Sequence, residues 1–263
     1  MSLRFQILGS SSSGNCAFLQ TGDCRILIDA GFSARRIGEL LEDIGEHPEN
    51  LDAVFVTHEH SDHVAGIRGL SRQPNLEVFA NAPTAQAVRR GLKREVNWRV
   101  FETGTTIRFR DLEIESFSVP HDAYDPVGFL FRQGGDLFHP EKSVAWITDL
   151  GHVPQLVREK ARGAHILVLE SNHCPRLLQR SERPWSLKQR IASRHGHLSN
   201  EAASDWLRET ENPAWRQVFL GHLSNECNSV AAVEEAFAFA RGGGVPWELD
   251  IIESGRGGRC CEL

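Results

Sequence analysis

One stretch constrains this chain more than any other: residues 57–63, with the sequence THEHSDH, which begin at the end of the apolar run Ala53–Thr57. That run predicts a short buried strand. The stretch offers four side chains that bind metals well: His58, His60, Asp62 and His63. In an extended chain the first two imidazoles point to the same side, and imidazole with carboxylate suits Zn²⁺, Mn²⁺ or Fe. We therefore expect a metal site at the end of this strand; the alternative is a polar, histidine-rich loop.

Three further candidate ligands also stand at the ends of apolar strands. They are His121 after Leu112–Val119, Asp149 after Val144–Thr148 and His222 after Gln217–Leu220. Taken alone, a histidine or aspartate at a strand end is more often a turn or cap residue. Polar clusters that repeatedly end apolar strands are typical of α/β folds, which build their sites at one edge of a sheet. The recurrence favours a shared site.

Segments with strand and helix patterns alternate in both halves of the chain. Predicted strands are Arg4–Leu8, Cys16–Gln20, Cys24–Asp29, Ala53–Thr57, Thr106–Phe109, Leu112–Val119, Gly128–Arg132, Val144–Thr148, Ile166–Leu169, Gln217–Leu220 and Leu249–Ile252; predicted helices begin at Ser33 and Pro83 or cover Pro154–Arg162, Asn200–Glu209 and Ser229–Ala240. This order favours an α/β (α+β) fold with helices outside sheets. No long linker divides the chain, so we expect one domain over residues 1–254 and a flexible tail at 255–263.

The composition excludes several classes of protein. The chain has 263 residues, of which 40% are hydrophobic and 24% charged, so collagen-like and disordered chains are excluded. No apolar run approaches the length of a membrane span, and the N-terminus lacks a secretory signal. Six scattered cysteines without a CxxC pair predict reduced thiols and a cytoplasmic protein. The net charge of −6 leaves no global basic field to attract nucleic acid.

The ligand motif resembles that of the metallo-β-lactamase fold. The signature HxHxDH of that fold matches residues 58–63, and its later ligands match His121, Asp149 and His222. The resemblance implies a four-layer αββα sandwich with a dinuclear metal site at one sheet edge. It assigns His58, His60 and His121 to one metal, Asp62, His63 and His222 to the other, and Asp149 to a position between them. It also implies that Asp29 lies behind the ligands and holds their loop.

Three further stretches resemble the YycJ-like branch of this fold. They are residues 9–16 (GSSSSGNC), 169–173 (LESNH) and 196–200 (GHLSN), and the last recurs at 221–225. The resemblance implies a metal-dependent phosphodiesterase, with exonuclease action on DNA. The expected mechanism is hydrolysis by two divalent ions, Zn²⁺ or Mn²⁺ or else Fe, which activate a bridging water. Asp62 would orient that water and accept its proton, and His197 would be the general acid.

The same stretches and a basic segment supply candidate substrate contacts. They are Ser11, Ser12, Gly14, Asn15, Asn172, His173, Ser199, Asn200, Arg176 and Arg180. Residues 173–197 hold six basic side chains against the single acid Glu182, and Trp185 lies among them. Such a segment could bind a phosphate backbone while the tryptophan stacks on a base, so single-stranded or end-frayed DNA is the expected partner, with RNA as the alternative. The opposing interpretation is a solvated basic helix face with Trp185 over the core.

Other functions fit the same metal site. A small-molecule phosphodiesterase and a thioesterase of the glyoxalase II type are alternatives within the hydrolases, and they would not need the basic segment. A regulatory module without turnover is a weaker alternative because the ligand set is complete. β-Lactam hydrolysis is disfavoured because Asp149 stands where lactamases proper place a thiolate.

Overall fold

The computed structural model of the protein describes residues 2–92, 94–135 and 139–263. Strands and helices alternate along these residues. The strands are β1 (Arg4–Ser11), β2 (Gly14–Gln20), β3 (Arg25–Ile28), β4 (Ala53–Phe55), β5 (Glu77–Asn81), β6 (Trp98–Phe101), β7 (Thr106–Phe109), β8 (Leu112–Ser118), β9 (Val127–Gln133), β10 (Lys142–Ile147), β11 (Ile166–Glu170), β12 (Gln217–Gly221), β13 (Glu248–Ile251) and β14 (Cys261–Glu262). The helices are α1 (Ala34–Glu42), α2 (Ser61–Val64), α3 (Ile67–Leu70), α4 (Ala82–Arg90), α5 (Gln155–Arg162), α6 (Pro175–Arg180), α7 (Trp185–Ile191), α8 (Asn200–Glu209) and α9 (Val230–Ala236), with 3₁₀ turns at Pro48–Asn50 and Ala238–Gly243.

The strands form two sheets that pack face to face. One sheet has the order β14-β1-β2-β3-β4-β5-β6 and the other β13-β12-β11-β10-β9-β8-β7. Apolar side chains of both sheets interdigitate in the central core, where Phe55 stacks on Phe79 and meets Phe129 and Phe131 edge to face. Edge-to-face contacts of this kind are favoured by the ring quadrupoles and fix the spacing of the two sheets.

Helices cover the outer face of each sheet. Strand β4 alternates sides, because Ala53 and Phe55 enter the central core while Val54 packs outward against the helices α1, α3 and α4. On the second sheet, α5, α8 and α9 cover the outward side chains of β11 and β12. Parallel strands covered on both faces are apolar throughout. The architecture is thus the four-layer αββα sandwich that the sequence predicted.

Strand direction places polar residues at one edge. Strands β3 to β6 are parallel to one another, as are β10 to β13. A polar side chain stands at or soon after the end of five of these strands. Asp29 follows β3, the 57–63 stretch begins shortly after β4, and the other three strands are β10, β11 and β12. Because the carboxyl ends of parallel strands share an edge, these side chains are brought together.

Several predicted elements differ from the observed ones. The helix predicted over Ser229–Ala240 ends at Ala236 and continues as a 3₁₀ turn, just before a run of glycines that disfavours α-helix. Strands β5 and β6 and helices α6 and α7 were not predicted. No helix within the described residues is both long and apolar enough to cross a bilayer.

The C-terminal segment also differs from the expected flexible tail. Strand β14 pairs antiparallel with the outer edge of β1, and the Gly258 amide donates to the Ile7 carbonyl at 2.8 Å. Cys261 and Leu263 pack against the central core. The free edge of β1 offers a row of unpaired backbone groups, and pairing them outweighs the flexibility of a glycine-rich segment.

Candidate metal centre

Two groups of three side chains meet at the common strand edge. The first group is His58, His60 and His121, and the second is Asp62, His63 and His222; within each group the candidate ligand atoms lie within 4.8 Å of one another. These are the two sets that the resemblance implied. The chain separation between members reaches 160 residues, so the sheet topology, and not local sequence, assembles the second set.

Asp149 lies between the two groups. Its carboxylate is 3.1 Å from Nε2 of His63, 3.5 Å from Nε2 of His222 and 3.6 Å from Nε2 of His121. The carboxylate is buried. It therefore faces nitrogen atoms of both groups at once, which is the position needed for a ligand shared by two cations.

The histidines are oriented from behind. Nδ1 of His63 bonds Asp29 at 2.8 Å, Nδ1 of His121 donates to the Gly196 carbonyl at 3.0 Å, and Nδ1 of His222 bonds Glu170 at 2.7 Å. Each of these rings therefore presents Nε2 to the centre. Such partners fix the tautomer and ring direction of a metal-binding histidine.

The side chains fit a divalent cation. Nε2 of His58 is buried and has no hydrogen-bond partner among the described residues. Buried polar atoms almost always have a partner, and a ligand bond supplies one here. Nitrogen and carboxylate oxygen without thiolate are donors that Zn²⁺ and Mn²⁺ accept. The chemistry of the cluster indicates divalent-metal binding.

The pKa values of the histidines separate into two types. Burial, aided by the nearby His63, holds the pKa of His58 well below its usual value, so this ring is neutral. Burial also lowers the pKa of His222, but Asp149 and the bonds to Asp62 and Glu170 outweigh it and raise that pKa to about 10. The pKa of His63 is likewise raised well above its usual value, since Asp149 and Asp29 outweigh its burial. Without a metal, the rings of His63 and His222 are therefore protonated, and their positive charge lies where a bound cation would carry it.

Asp29 stands behind the 57–63 stretch. Its fully buried carboxylate accepts hydrogen bonds from the Thr57 backbone at 2.8 Å and from the Thr57 hydroxyl at 3.0 Å, besides its bond to His63. The next turn passes so close that a Cβ at Gly31 would collide with the Asp62 carbonyl and the Asn15 amide. Asp29 thus fixes where the ligand stretch leaves β4.

Glu170 was not among the predicted site residues. Its fully buried carboxylate bonds Nδ1 of both His197 and His222 at 2.7 Å and accepts from the amides of Leu150 and Leu198. Burial alone would raise its pKa, but the two histidines dominate and lower it to about 2. The signal was present in the sequence: a glutamate directly ends the apolar run Ile166–Leu169.

The repeated pentapeptide places two histidines on the same carboxylate oxygen. His197 comes from residues 196–200 and His222 from 221–225, and both bond Oε1 of Glu170. The His197 ring centroid lies 5.2 Å from that of His222 and 5.1 Å from that of His121. His197 is thus beside the ligands, with Nδ1 engaged by Glu170.

Three residues of the centre have left-handed backbone conformations. Asp29, Asp149 and His222 have φ values of 59°, 59° and 56°. This region is costly for residues other than glycine and persists where the surroundings enforce it. Each residue follows a strand at the shared edge, so the chain turns sharply there and directs the side chain into the centre.

The predicted substrate residues of the N-terminal stretch lie on the β1–β2 hairpin. Ser12 is exposed at its turn, whereas Ser11, Gly14 and Asn15 are buried. The Asn15 amide nitrogen lies 3.2 Å from Nε2 of His63 and donates to the Ser11 carbonyl. Ser10 accepts from the His222 amide at 2.9 Å. The hairpin therefore contacts the candidate ligands directly, and Asn15 is bonded within the protein.

The other predicted substrate residues divide into those bonded within the protein and those that line a cavity. Asn172 donates to the His222 carbonyl, and Asn200 accepts from Ser171, so both amides are bonded within the protein. Ser199 caps α8 by accepting from the Ala202 amide. His173 and Ser199 line a cavity beside His197.

Much of the basic segment is paired with acids. Arg176 bonds Glu235 at 2.6 Å, and in the same way Arg183 pairs with Glu226 and Arg190 with Asp122. Arg180 has no ion pair among the described residues. The local positive charge is accordingly smaller than the sequence suggested, and it lies on α6 and α7 at the side of the centre where His197 stands.

Comparisons with known proteins agree with this geometry. The family model for the beta-lactamase superfamily domain matches residues 24–222. The exodeoxyribonuclease WalJ of Streptococcus pneumoniae is 38% identical over 229 residues, which cover 86% of this chain and 83% of that protein. The exodeoxyribonuclease YycJ of Bacillus anthracis is 33% identical over 231 residues, with 87% and 85% covered. Among solved structures, the metallo-beta-lactamase fold protein YhfI of Bacillus subtilis has a TM-score of 0.72 at 16% identity, with 100% of this chain and 99% of that chain covered.

Glu170→Gln tests how far the buried carboxylate supports metal binding. The amide keeps the shape of the side chain but loses the charge that orients His197 and His222. If its oxygen accepts from the two backbone amides, its NH₂ faces the two histidines and cannot accept from their Nδ1–H groups. We expect metal affinity to fall about 10–100-fold, measured by competition with a chromophoric chelator. Glu209→Gln, at a side chain that is 68% exposed, is the matched control. An unchanged affinity in Glu170→Gln would contradict the orienting role.

Metal affinity is expected to rise with pH. In the metal-free protein His222 has a pKa of about 10 and the pKa of His63 is raised as well, so both rings are protonated near neutrality. A ligand nitrogen must lose its proton, so binding releases protons and low pH opposes it. With two protons released, the affinity changes about 100-fold per pH unit. Calorimetry in buffers of different ionisation enthalpy, between about pH 6 and 8, counts the protons; a count of zero contradicts the assignment.

Proposed function

The chain belongs to the beta-lactamase superfamily, in the branch of the YycJ and WalJ exodeoxyribonucleases, and we propose that it is a metal-dependent nuclease that hydrolyses phosphodiester bonds at the ends of DNA. It is a hydrolase of the metallo-β-lactamase fold, as the ligand motif predicted. The proposal of a DNA substrate rests on one observation, the sequence identity to two exodeoxyribonucleases over more than four fifths of each chain. The six free thiols fit a reducing cytoplasm.

We infer that the centre holds two divalent ions, Zn²⁺ or Mn²⁺ or else Fe. His58, His60 and His121 would hold one, Asp62, His63 and His222 the other, and Asp149 both. Such ions, when bound, supply Lewis acidity that activates water near neutral pH and offsets charge on the phosphoryl oxygens. The shared position of Asp149 between the two groups supports the count of two.

Asp62 is the group best placed to accept a proton. Its side chain is 23% exposed, so it reaches the open side of the centre while its partner ligands are buried. Burial favours a raised pKa for this carboxyl, but the bond to His222 and the charge of His63 outweigh it and lower the pKa. Asp62 is therefore ionised at neutral pH and can orient a water and take its proton.

His197 is the group best placed to donate one. Burial disfavours its charged form, but the charge and hydrogen bond of Glu170 outweigh burial and raise its pKa, so the ring carries a proton near neutrality. With Nδ1 held by Glu170, the other nitrogen is free to protonate a leaving oxygen. The arrangement parallels a carboxylate that orients a catalytic histidine in hydrolases.

We propose single-stranded or frayed DNA ends as the substrate, with RNA as the alternative polymer. The exposed turn at Ser12 is a candidate contact to phosphate, as is Arg180, which has no ion pair within the described part of the chain. Arg176 joins them once its surface pair with Glu235 opens. A surface ion pair contributes little and is readily exchanged for a phosphate contact. Buried Asn15, Asn172 and Asn200 would act on the substrate only through the ligands and loops that they hold.

The first experiment compares the wild-type protein with Asp62→Asn on end-labelled single-stranded DNA, with Mn²⁺ or Zn²⁺ added. We expect the wild type to shorten the strand and the variant to be slower by about 100-fold or more, because it loses the proposed proton acceptor and one of the proposed metal ligands. Asp205→Asn, on the exposed face of α8, is the control and should match the wild type.

Bis-p-nitrophenyl phosphate distinguishes the remaining outcomes. If the wild type hydrolyses this diester but leaves DNA intact, the metal centre is assigned correctly and the polymer substrate is wrong, which favours the small-molecule phosphodiesterase. If it hydrolyses neither substrate with any of these metals, the proposal of a phosphodiesterase is wrong.

His197→Ala tests the general acid. The variant should lose about 10²–10⁴-fold in turnover on DNA, whose leaving alkoxide needs a proton, and much less on bis-p-nitrophenyl phosphate, whose phenolate leaves unaided. Metal content should stay at the wild-type level. His195→Ala, at an exposed neighbour, is the control. Loss of metal in His197→Ala would make His197 a ligand and overturn the assignment.

A further inference from the structure

A cavity of about 470 Å³ opens beside the metal centre, between α6, α7 and the first turn of α8. We call it the α7 cavity, and its lining includes His173, Leu178, Trp185, Ala192, His197 and Ser199. His197 joins it to the centre, since the Glu170 oxygen that it bonds also holds His222. A molecule in the α7 cavity therefore touches the residue to which we assign the proton transfer.

The lining combines a flat aromatic surface with buried polar atoms. Trp185 is 67% exposed, although burial of a tryptophan side chain is strongly favourable in free energy. His173 is 3% exposed, and its Nδ1 is buried with no hydrogen-bond partner among the described residues. Burial lowers the pKa of His173 to about 4, so the ring is neutral and adds no charge to the lining.

The size of the cavity and the charges around it limit which kinds of ligand can bind. A volume of about 470 Å³ suits one small molecule, not a length of polymer. Lys188 and Gln189 lie in the lining. Arg183 and Arg190 line a smaller cavity of about 160 Å³ on the other side of His197, and their surface ion pairs with Glu226 and Asp122 are readily exchanged for a phosphate contact. An aromatic platform, neutral polar atoms and flanking cations together match one nucleotide, with its base on the platform and its phosphate outside.

We propose that the α7 cavity binds the terminal nucleoside of the strand being cut, with its base against Trp185, so that the adjoining phosphodiester lies at the metal centre. The inference rests on the proposed function and deepens it. A cavity that holds a single unit sets how far the strand end can enter, and the product is then one nucleotide at a time.

The test is calorimetric binding of two probes to the metal-loaded protein. Deoxyadenosine 5′-monophosphate has a base, and 2-deoxyribose 5-phosphate lacks one. We expect the base to tighten binding about tenfold or more, which is the range of one base stacked on an aromatic ring. Trp185→Ala should bring the two affinities together, and Trp185→Phe should restore most of the difference. Leu156→Ala, an exposed apolar side chain on α5 that does not line the cavity, should keep the wild-type difference.

Equal affinities of the wild type for the two probes, or a difference that survives in Trp185→Ala, would overturn the proposal. Cleavage of DNA is measured separately by product mass. Mononucleotide products support the cavity, and products of two or more nucleotides overturn it. If the protein binds the nucleotide with the Trp185-dependent difference but cuts no DNA, the nucleotide cavity stands and the nuclease function is wrong.

Discussion

Two buried carboxylates, Asp29 and Glu170, hold the site together. A charged side chain that is buried away from water is unfavourable unless it is hydrogen-bonded and paired with an opposite charge. Asp29 is hydrogen-bonded to the Thr57 backbone amide and hydroxyl and to the His63 ring. Glu170 is hydrogen-bonded to two backbone amides and two histidines. Each carboxylate therefore fixes the direction of a histidine and the path of the chain around it. These hydrogen bonds set the positions of the chain leaving β4, of the loop after β10 and of both copies of the pentapeptide.

The fold and the meeting of the candidate ligands at one edge were predictable because their signals are local. HxHxDH lies within six residues, and each remaining candidate ligand follows an apolar run at once or after one residue. Alternating apolar patterns predicted most strands, and caps such as Ser33 and Ser199 marked where helices begin. Once strands are parallel, their carboxyl ends meet, so these side chains could be expected at one edge. Their division into two groups came from the resemblance to the metallo-β-lactamase fold.

What escaped prediction depends on partners that are distant along the chain. Glu170 gains its role from histidines 27 and 52 residues away, so its place at the end of an apolar run did not by itself reveal that role. The basic run looked like a phosphate track, yet acids from other elements pair with half of it, as Arg183 does with Glu226. Strand β14 forms because β1 has a free edge, a fact of topology and not of composition. Small polar residues such as Asn15 were expected to face substrate and instead support the ligands.

Each candidate ligand group takes side chains from both sheets. His58 and His60 leave the first sheet while His121 follows a strand of the second, and the second group joins His63 to His222 in the same way. Any ion held there is a non-covalent cross-link between the two layers of the sandwich, closing chain loops of more than fifty residues. Its binding energy then counts toward folding, and the resistance of the whole domain to unfolding becomes a function of metal supply.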